Sequence, residues 1–318
     1  MAAHRIFFIV NPKAACGRAL GWWQNFLPVL PQIHSQTDWA YTYARFSAIE
    51  QVEAAIKQGY DTVVSIGGDG TAMEVLNGII KSGEASRIVM VPWPVGTGCD
   101  FARMLYQDTA CKTLIDLLNK GSERAIDIME ARYTSADGGA AKLFLLNMCN
   151  LGIAALTSNM INRISVKSIG KPAFVYSALK VISSYKGVEL VISLNGTPLP
   201  KQKYAVACFG NGGYIGGGMH ACPKAEIDDG FIDILLAVNM SKAKVFSFLP
   251  KFMRGNHLSL NGITYSKGQY LTVDSSVPQL LDLDGEQPGF TPLQLSIMPK
   301  AIKILSLEEK AAQVLQNK

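Results

Sequence analysis

The sequence predicts an α/β domain followed by a mostly antiparallel β domain. Three observations carry this. Apolar strands alternate with amphipathic helices through the first third of the chain, the pattern of a parallel sheet covered by helices. After about Ile128 the texture changes to recurrent short strands. Within the first texture Asn11-Pro12 and the Gly67 to Thr71 loop sit where strands end, and in parallel sheets ligands bind at such ends. At 318 residues the length suits two domains or one large one. The boundaries read as 1–130, completed by the tail 299–318, and 131–298.

In order, Arg5 to Val10 reads as a buried strand. Ala19 to Leu30 reads as a helix with Leu20, Trp23, Phe26 and Leu27 on one side. Trp39 to Tyr43 is a second strand. Ser47 is the expected N-cap of a helix to Gln58, with Ile49, Val52, Ala55 and Ile56 inward and Gly59 as its stop. Asp61 to Ile66 and Arg87 to Pro92 are the third and fourth strands, and Thr109 is placed to cap a helix ending at Lys120-Gly121. The second half offers strands at Lys142 to Asn147, Val188 to Ser193, Tyr204 to Phe209, Phe231 to Val238, Gln269 to Val273 and Leu280 to Leu283. Asn195-Gly196 is a strong turn signal. One helical insertion spans Pro172 to Lys186, with Phe174, Val175, Ala178, Leu179 and Ile182 at three- and four-residue spacing. The tail from Lys303 reads as a strand and then a helix that return to the first domain.

Charged residues make up 17% and apolar residues 48%, a globular composition with ample core. The net charge of +5 is too modest to argue for nucleic acid, and its placement says more. Between Leu151 and Val188 the charged residues are Arg163, Lys167, Lys171, Lys180 and Lys186, with no acid. Between Ile234 and Val273 they are Lys242, Lys244, Lys251, Arg254 and Lys267, again with no acid. Such stretches suit an anionic surface such as a bilayer, or simply form a solvated basic face. The six cysteines follow neither a zinc nor a disulfide spacing, which fits a reducing, cytoplasmic setting. The N-terminal apolar run is too short for a signal peptide. No stretch is long enough to span a bilayer, so membrane contact is expected to be peripheral.

The chemistry centres on Gly67-Gly68-Asp69-Gly70-Thr71, between a strand and the helical pattern Met73-Glu74-Val75-Leu76-Asn77-Gly78. Glycines let backbone approach a polyphosphate, and the following helix aims free N–H groups and its positive end at the same place. Asp69 adds a carboxylate for Mg2+, usually through water. The common phosphate loop is absent from the sequence, as is a strand-following G-x-G-x-x-G. Asn11-Pro12-Lys13 follows the first strand. There Asn11 is a hydrogen-bonding candidate and Lys13 a counter-charge for phosphate; alone, this is an ordinary strand-ending turn. Gly96-Thr97-Gly98-Cys99-Asp100-Phe101-Ala102-Arg103 follows the fourth strand, with Asp100 able to join Asp69 around a metal. Gly210 to Met219 is a dense glycine cluster, read equally as a ligand bed or a bulged strand pair. Next, Glu226-Ile227-Asp228-Asp229-Gly230-Phe231 is an acidic turn that could hold a divalent cation through Asp229 and carbonyls. Asp282-Leu283-Asp284-Gly285-Glu286 offers a general base for a hydroxyl attacking a phosphoryl group, or else a solvated acidic turn.

In order and residue type these five segments resemble the diacylglycerol kinase catalytic family, which includes bacterial lipid kinases, sphingosine kinases and ceramide kinases. The match runs from Asn11 to Glu286. Gly-Gly-Asp-Gly-Thr also occurs in NAD kinases and phosphofructokinases. The Gly-Thr-x-x-Asp-Phe-Ala-Arg, Gly-Gly-Gly-Met, Asp-Asp-Gly and Asp-Gly-Glu segments together are specific to the lipid branch. The resemblance implies a phosphofructokinase- or NAD-kinase-like α/β domain and a C-terminal β-sandwich carrying the lipid site, with ATP in the cleft between them. Carried over by position, Asn11, Lys13, Thr42, Gly67, Gly68, Asp69, Gly70, Thr71, Glu74 and Thr97 serve the nucleotide. Asp69 and Asp100 belong to the acidic network around catalytic Mg2+, and Glu226, Asp229 and Phe231 to a second, structural Mg2+ site. Glu286, with Asp284 beside it, matches the proton acceptor, and the 172–186 helix matches a lipid-pocket element.

The implied function is ATP- and Mg2+-dependent phosphorylation of a lipid hydroxyl, diacylglycerol by default, at an anionic membrane surface and without nucleic acid. Oligomeric state stays open, a homodimer included. The rivals are a kinase for a sphingoid or other lipid, an NAD-kinase-like enzyme, and a weakly active nucleotide- or lipid-binding regulator. One departure favours the last: Cys99 stands where the family usually has Asn, and a thiol offers little of an amide's hydrogen bonding.

Overall fold

The structure is a computed structural model describing residues 5–163, 171–238 and 240–307; of residues 162, 163, 171–175 and 242 it describes the backbone only. The chain forms two compact units. One comprises the described residues up to Ile126 together with those from Lys300 onward, and the other Asp127–Pro299.

The first unit runs β1 (Arg5–Val10), α1 (Arg18–Phe26), β2 (Gln36–Tyr41), α2 (Ser47–Lys57), β3 (Thr62–Gly67), α3 (Asp69–Lys81), β4 (Val89–Pro94) and α4 (Cys111–Lys120). β1 pairs in parallel with β2 and β3, and β3 with β4. Every residue of β3 is buried, as expected of a strand with helices over both faces. Ile6, Phe8, Val10, Val64, Ile66, Val91 and Trp93 share a core with Trp23 and Phe26 of α1 and Leu114 and Leu117 of α4.

Element boundaries moved for identifiable reasons. α1 stops at Phe26 because Leu27–Gln32, holding Pro28 and Pro31, winds as a 3-10 turn. Ser47 is the first residue of α2 rather than its cap: Phe46 holds that position at φ 65°. The Ser47 hydroxyl donates to Ala44 O at 2.8 Å instead. Ala110, not Thr109, precedes α4, and the Thr109 carbonyl accepts from Trp22 Nε1 at 3.0 Å.

The second unit begins within β5 (Ser122–Ser135) and continues through β6 (Ala140–Leu145), β7 (Met148–Gly152), α5 (Ile153–Arg163), α6 (Lys171–Ser184), β8 (Val188–Leu194), β9 (Thr197–Pro198) and β10 (Gln202–Gly210). It goes on through β11 (Tyr214–Ile215), β12 (Met219–His220), β13 (Ile232–Val238), α7 (Lys242–Met253), β14 (Ile263–Gly268), β15 (Tyr270–Asp274), β16 (Asp282–Leu283) and β17 (Gly289–Ser306). Its ladders are antiparallel. One runs β14-β13-β10-β7-β16 and another β9-β8-β15-β17, with β5 and β6 as a hairpin. The Asn195-Gly196 turn joins β8 to β9 with both residues at positive φ, 47° and 82°, as a two-residue hairpin requires.

The expectation of one helical insertion falls short: α5 and α7 are helices besides α6. Ala178 and Ile182 of α6 are buried as expected, with Val245 and Phe248 of α7 in the same core, but Leu179 is exposed. The side chains of Phe174 and Val175 lie outside the described residues, as do Lys167 and the helix expected at the end of the tail. The tail strand is found: the last part of β17 pairs in parallel with β4 inside the first unit, Lys303 opposite Val89.

Candidate active site

In the first unit the parallel register brings three strand ends together. Asn11 N donates to Ile66 O at 3.0 Å and Val95 N to Gly67 O at 2.8 Å, so the loops after β1, β3 and β4 share one rim. Asn11 Nδ2 donates to Thr71 Oγ1 at 3.0 Å, and Asn11 Oδ1 accepts from Lys13 N at 3.0 Å. Thr42 joins the same edge through its N–H on Val10 O at 2.9 Å. Gly67 and Gly96 are required by crowding. A Cβ on Gly67 would lie 2.5 Å from Thr71 Oγ1, and one on Gly96 would lie 2.4 Å from Gly68 Cα.

α3 begins at Asp69 with Gly68 as its N-cap, a residue with no side chain to cap the helix. That leaves a donor-rich, electropositive helix end beside the loop, suited to phosphate. Gly70 and Thr71 lie in this first turn. The Asp69 carboxylate folds back onto the loop after β4, accepting from Asp100 N at 3.1 Å and Phe101 N at 3.3 Å. Loss of hydration raises its pKa from the usual carboxylate value, against those hydrogen bonds. Asp100 is buried, with Arg103 Nε 3.4 Å from its Oδ1. Asp69, Cys99, Phe101, Ala102, Trp93, Pro94 and Gly67 line a small pocket here. Asp69 and Asp100 stand on touching loops, and Mg2+ takes one or two carboxylates and completes its shell with water and phosphate oxygens. Thr97 is exposed on the loop. Glu74 is turned elsewhere: its carboxylate accepts from Phe46 N at 2.9 Å and Ala48 N at 3.2 Å, holding the start of α2.

The second unit gathers the Asp-Gly-Glu turn. Asp284 and Gly285 both take positive φ, 51° and 89°. The buried Asp284 carboxylate accepts from Leu146 N at 2.8 Å, Asn147 N at 3.1 Å and Met148 N at 2.7 Å. It is an anchor for the 146–148 segment. Glu286 is half-buried on the same turn, its backbone exchanging hydrogen bonds with Leu283. Asp282, the first carboxylate of the segment, accepts from Asn150 Nδ2 at 2.9 Å and from Ser158 Oγ and Gln287 Nε2 at 3.1 Å. Burial pushes its carboxyl up to about 6, against these donors.

The glycine cluster is a close approach of backbones. A Cβ on Gly210 would lie 2.7 Å from Gly212 O. The buried Asn211 Nδ2 donates to Asp127 O at 2.9 Å and Leu146 O at 2.8 Å. At the acidic turn, Asp229 Oδ1 accepts from Phe231 N at 3.0 Å, and Asp229 is ion-paired with Lys267. Glu226 and Phe231 are exposed. Among the described residues, no group of three or more His, Cys, Asp or Glu side chains is arranged to hold a metal ion.

A glycine-lined strand end, a helix N-terminus beside it and two aspartates on touching loops are what the first unit presents. Comparison with known proteins narrows this. Residues 5–131 match the diacylglycerol kinase catalytic domain, and residues 147–306 match the YegS C-terminal NAD kinase beta sandwich-like domain. The chain belongs to the diacylglycerol kinase catalytic-domain family, with an N-terminal α/β domain and a C-terminal β-sandwich-like domain. Among its relatives are proteins named diacylglycerol kinase. One, from Bacillus subtilis, is 26% identical over 265 residues, 82% of each chain. Another, from Mycobacterium tuberculosis, is 27% identical over 254 residues, 79% of each chain. The crystal structure of a diacylglycerol kinase from Bacillus anthracis shares the fold, with a TM-score of 0.77 at 21% identity over 98% of this chain and 99% of that one.

Proposed function

We propose that this chain is an ATP- and Mg2+-dependent lipid kinase that phosphorylates a lipid hydroxyl, with diacylglycerol the default acceptor. The observation that carries the reading is Asp69, which opens α3 and reaches across to the Asp100 loop. When bound, Mg2+ would neutralise charge developing on the transferred phosphoryl group. Asp69 and Asp100 would hold it. The N–H groups at the start of α3 would hold phosphate oxygens, and Asn11 with Thr71 keeps their loop in register. Glu286 would take the hydroxyl proton, and Asp284 keeps the turn in place.

A lipid acceptor is supported by the second unit on its own. A cavity of about 360 Å³ is lined by Ile153, Ile182, Tyr185, Ala205, Met240 and Val245, with Lys186 and Lys203 at its edge. On the helices beside it Tyr176, Leu179 and Phe246 are exposed apolar side chains, and Lys180, Lys244 and Lys251 are exposed cations. Exposed apolar groups among cations favour an anionic bilayer. Among the described residues no helix is long and apolar enough to cross a membrane, so the contact proposed is peripheral. The test is transfer of labelled phosphate from ATP into a panel of lipids in micelles, wild type beside Asp69→Ala. Label in one lipid should fall by on the order of 10²-fold or more in the variant. Label in no lipid, with transfer to NAD or a sugar, overturns the lipid reading. Vesicle binding should weaken as salt rises; salt-insensitive binding removes the electrostatic part.

A further inference from the structure

We propose that the ammonium group of Lys267 takes the place of a divalent cation at the acidic turn of the second unit, so that this unit needs no Mg2+ to hold its shape. The inference is independent of which acceptor the chain phosphorylates.

The argument begins with register. β13 and β14 pair so that Lys267 lies directly opposite Asp233. This cross-strand position delivers the ammonium to the turn through the ladder. The Lys267 Nζ is ion-paired with Asp229 and lies 3.5 Å from Asp233 Oδ2. Asp233 is fully buried, and its Oδ1 accepts from the Tyr265 hydroxyl at 2.7 Å. Tyr265 stands two residues before Lys267 on β14 and so on the same face. A carboxylate at that depth requires a positive partner, and the ammonium supplies it.

The rest of the turn is tied by the protein itself. Asp229 offers one oxygen to Lys267 and the other to Phe231 N at 3.0 Å. Gly230 N donates to Asp127 Oδ2 at 2.6 Å. A Mg2+ ion needs near-octahedral oxygen ligands at about 2.0–2.1 Å. To use Asp229 it would have to displace the ammonium and then sit beside it, charge against charge. The donor set of this turn therefore does not fit a divalent ion while Lys267 is in place.

The experiment is thermal unfolding of the full chain carrying Asp69→Ala, which removes the first-unit metal site, in EDTA and in millimolar Mg2+. The expected result is the same midpoint in both. A midpoint raised by Mg2+, with the rise abolished by adding Asp229→Asn, overturns the proposal. Lys267→Met in the same background should lower the midpoint by several degrees by leaving Asp233 buried without its cation. An unchanged midpoint there also overturns it. If Lys267→Met prevents folding, the comparison of EDTA with Mg2+ decides alone.

Discussion

Cys99 sits at φ 51°, a left-handed position where asparagine is several-fold enriched among non-glycine residues. Its thiol accepts from Gly96 N at 3.0 Å and faces Gly67 O at 3.6 Å, tying the loops after β3 and β4 together. Burial, with Asp69 nearby, pushes this thiol up to about 12, so it is a poor nucleophile at neutral pH. Brief alkylation of the native chain followed by mass spectrometry should label the exposed Cys16 and spare Cys99. Cys99→Asn should fold, because the backbone there already suits an amide. Asp284 and Glu286 separate by role. Asp284→Asn meets three N–H donors with one fewer acceptor oxygen and should cost about 2–3 kcal/mol in a denaturant melt. Glu286→Gln should melt close to wild type while phosphate transfer collapses. Asp282 gives a pH signature. Its folded pKa, about 6, is raised above the unfolded value. It therefore adds stability that is complete below the unfolded pKa and is lost as pH rises through 6. Wild type should lose on the order of 3 kcal/mol relative to Asp282→Asn between pH 3.5 and 7, read as the difference between the two melting curves. The motif residues were legible from the sequence, but the partners of Glu74, Asp284 and Asp229 were not. Side-chain acceptors are assigned by tertiary approach from segments tens of residues away, which spacing does not encode.

At the level of elements, α2 and α3 are set by one glycine and one carboxylate. A Cβ on Gly78 would lie 2.8 Å from Val52 Cβ and 2.9 Å from Ile49 O, so the helices touch backbone to backbone. Gly78→Ala gains helix propensity but must push α2 away. It should destabilise by about 1–3 kcal/mol, and Gly78→Val by more, measured as urea midpoints. Glu74→Ala removes the acceptor for Phe46 N and Ala48 N and should cost about 1 kcal/mol. The α/β elements were legible because their strands are short apolar runs and their helices amphipathic. α7 was missed because Pro250 lies inside it and its flanks are basic and aromatic, although Ser241 caps it by accepting from Lys244 N at 3.3 Å. α5 was missed because it follows β7 without a break, with Gly152 alone, at φ 74°, at the junction.

Across the whole molecule, the first unit is built from two separated stretches of chain. Ile302, Ile304 and Leu305, on the returning part of β17, are buried. At about 1.5–3 kcal/mol per buried side chain, they contribute as much as a typical domain's net stability. Truncation after Pro299 should therefore leave β4 with a bare edge and give an aggregated product, assayed by size exclusion. The return of the tail was legible as an apolar strand from Lys303, and its partner β4 was not, since strand order is a property of the assembled sheet.

That discontinuity also orders events in time. On a ribosome the second unit's residues are all made before the strand that completes the first unit's sheet. The sheet that supports the glycine loop is thus finished after the inserted unit has had the chance to fold, reversing the usual order in which N-terminal domains settle first.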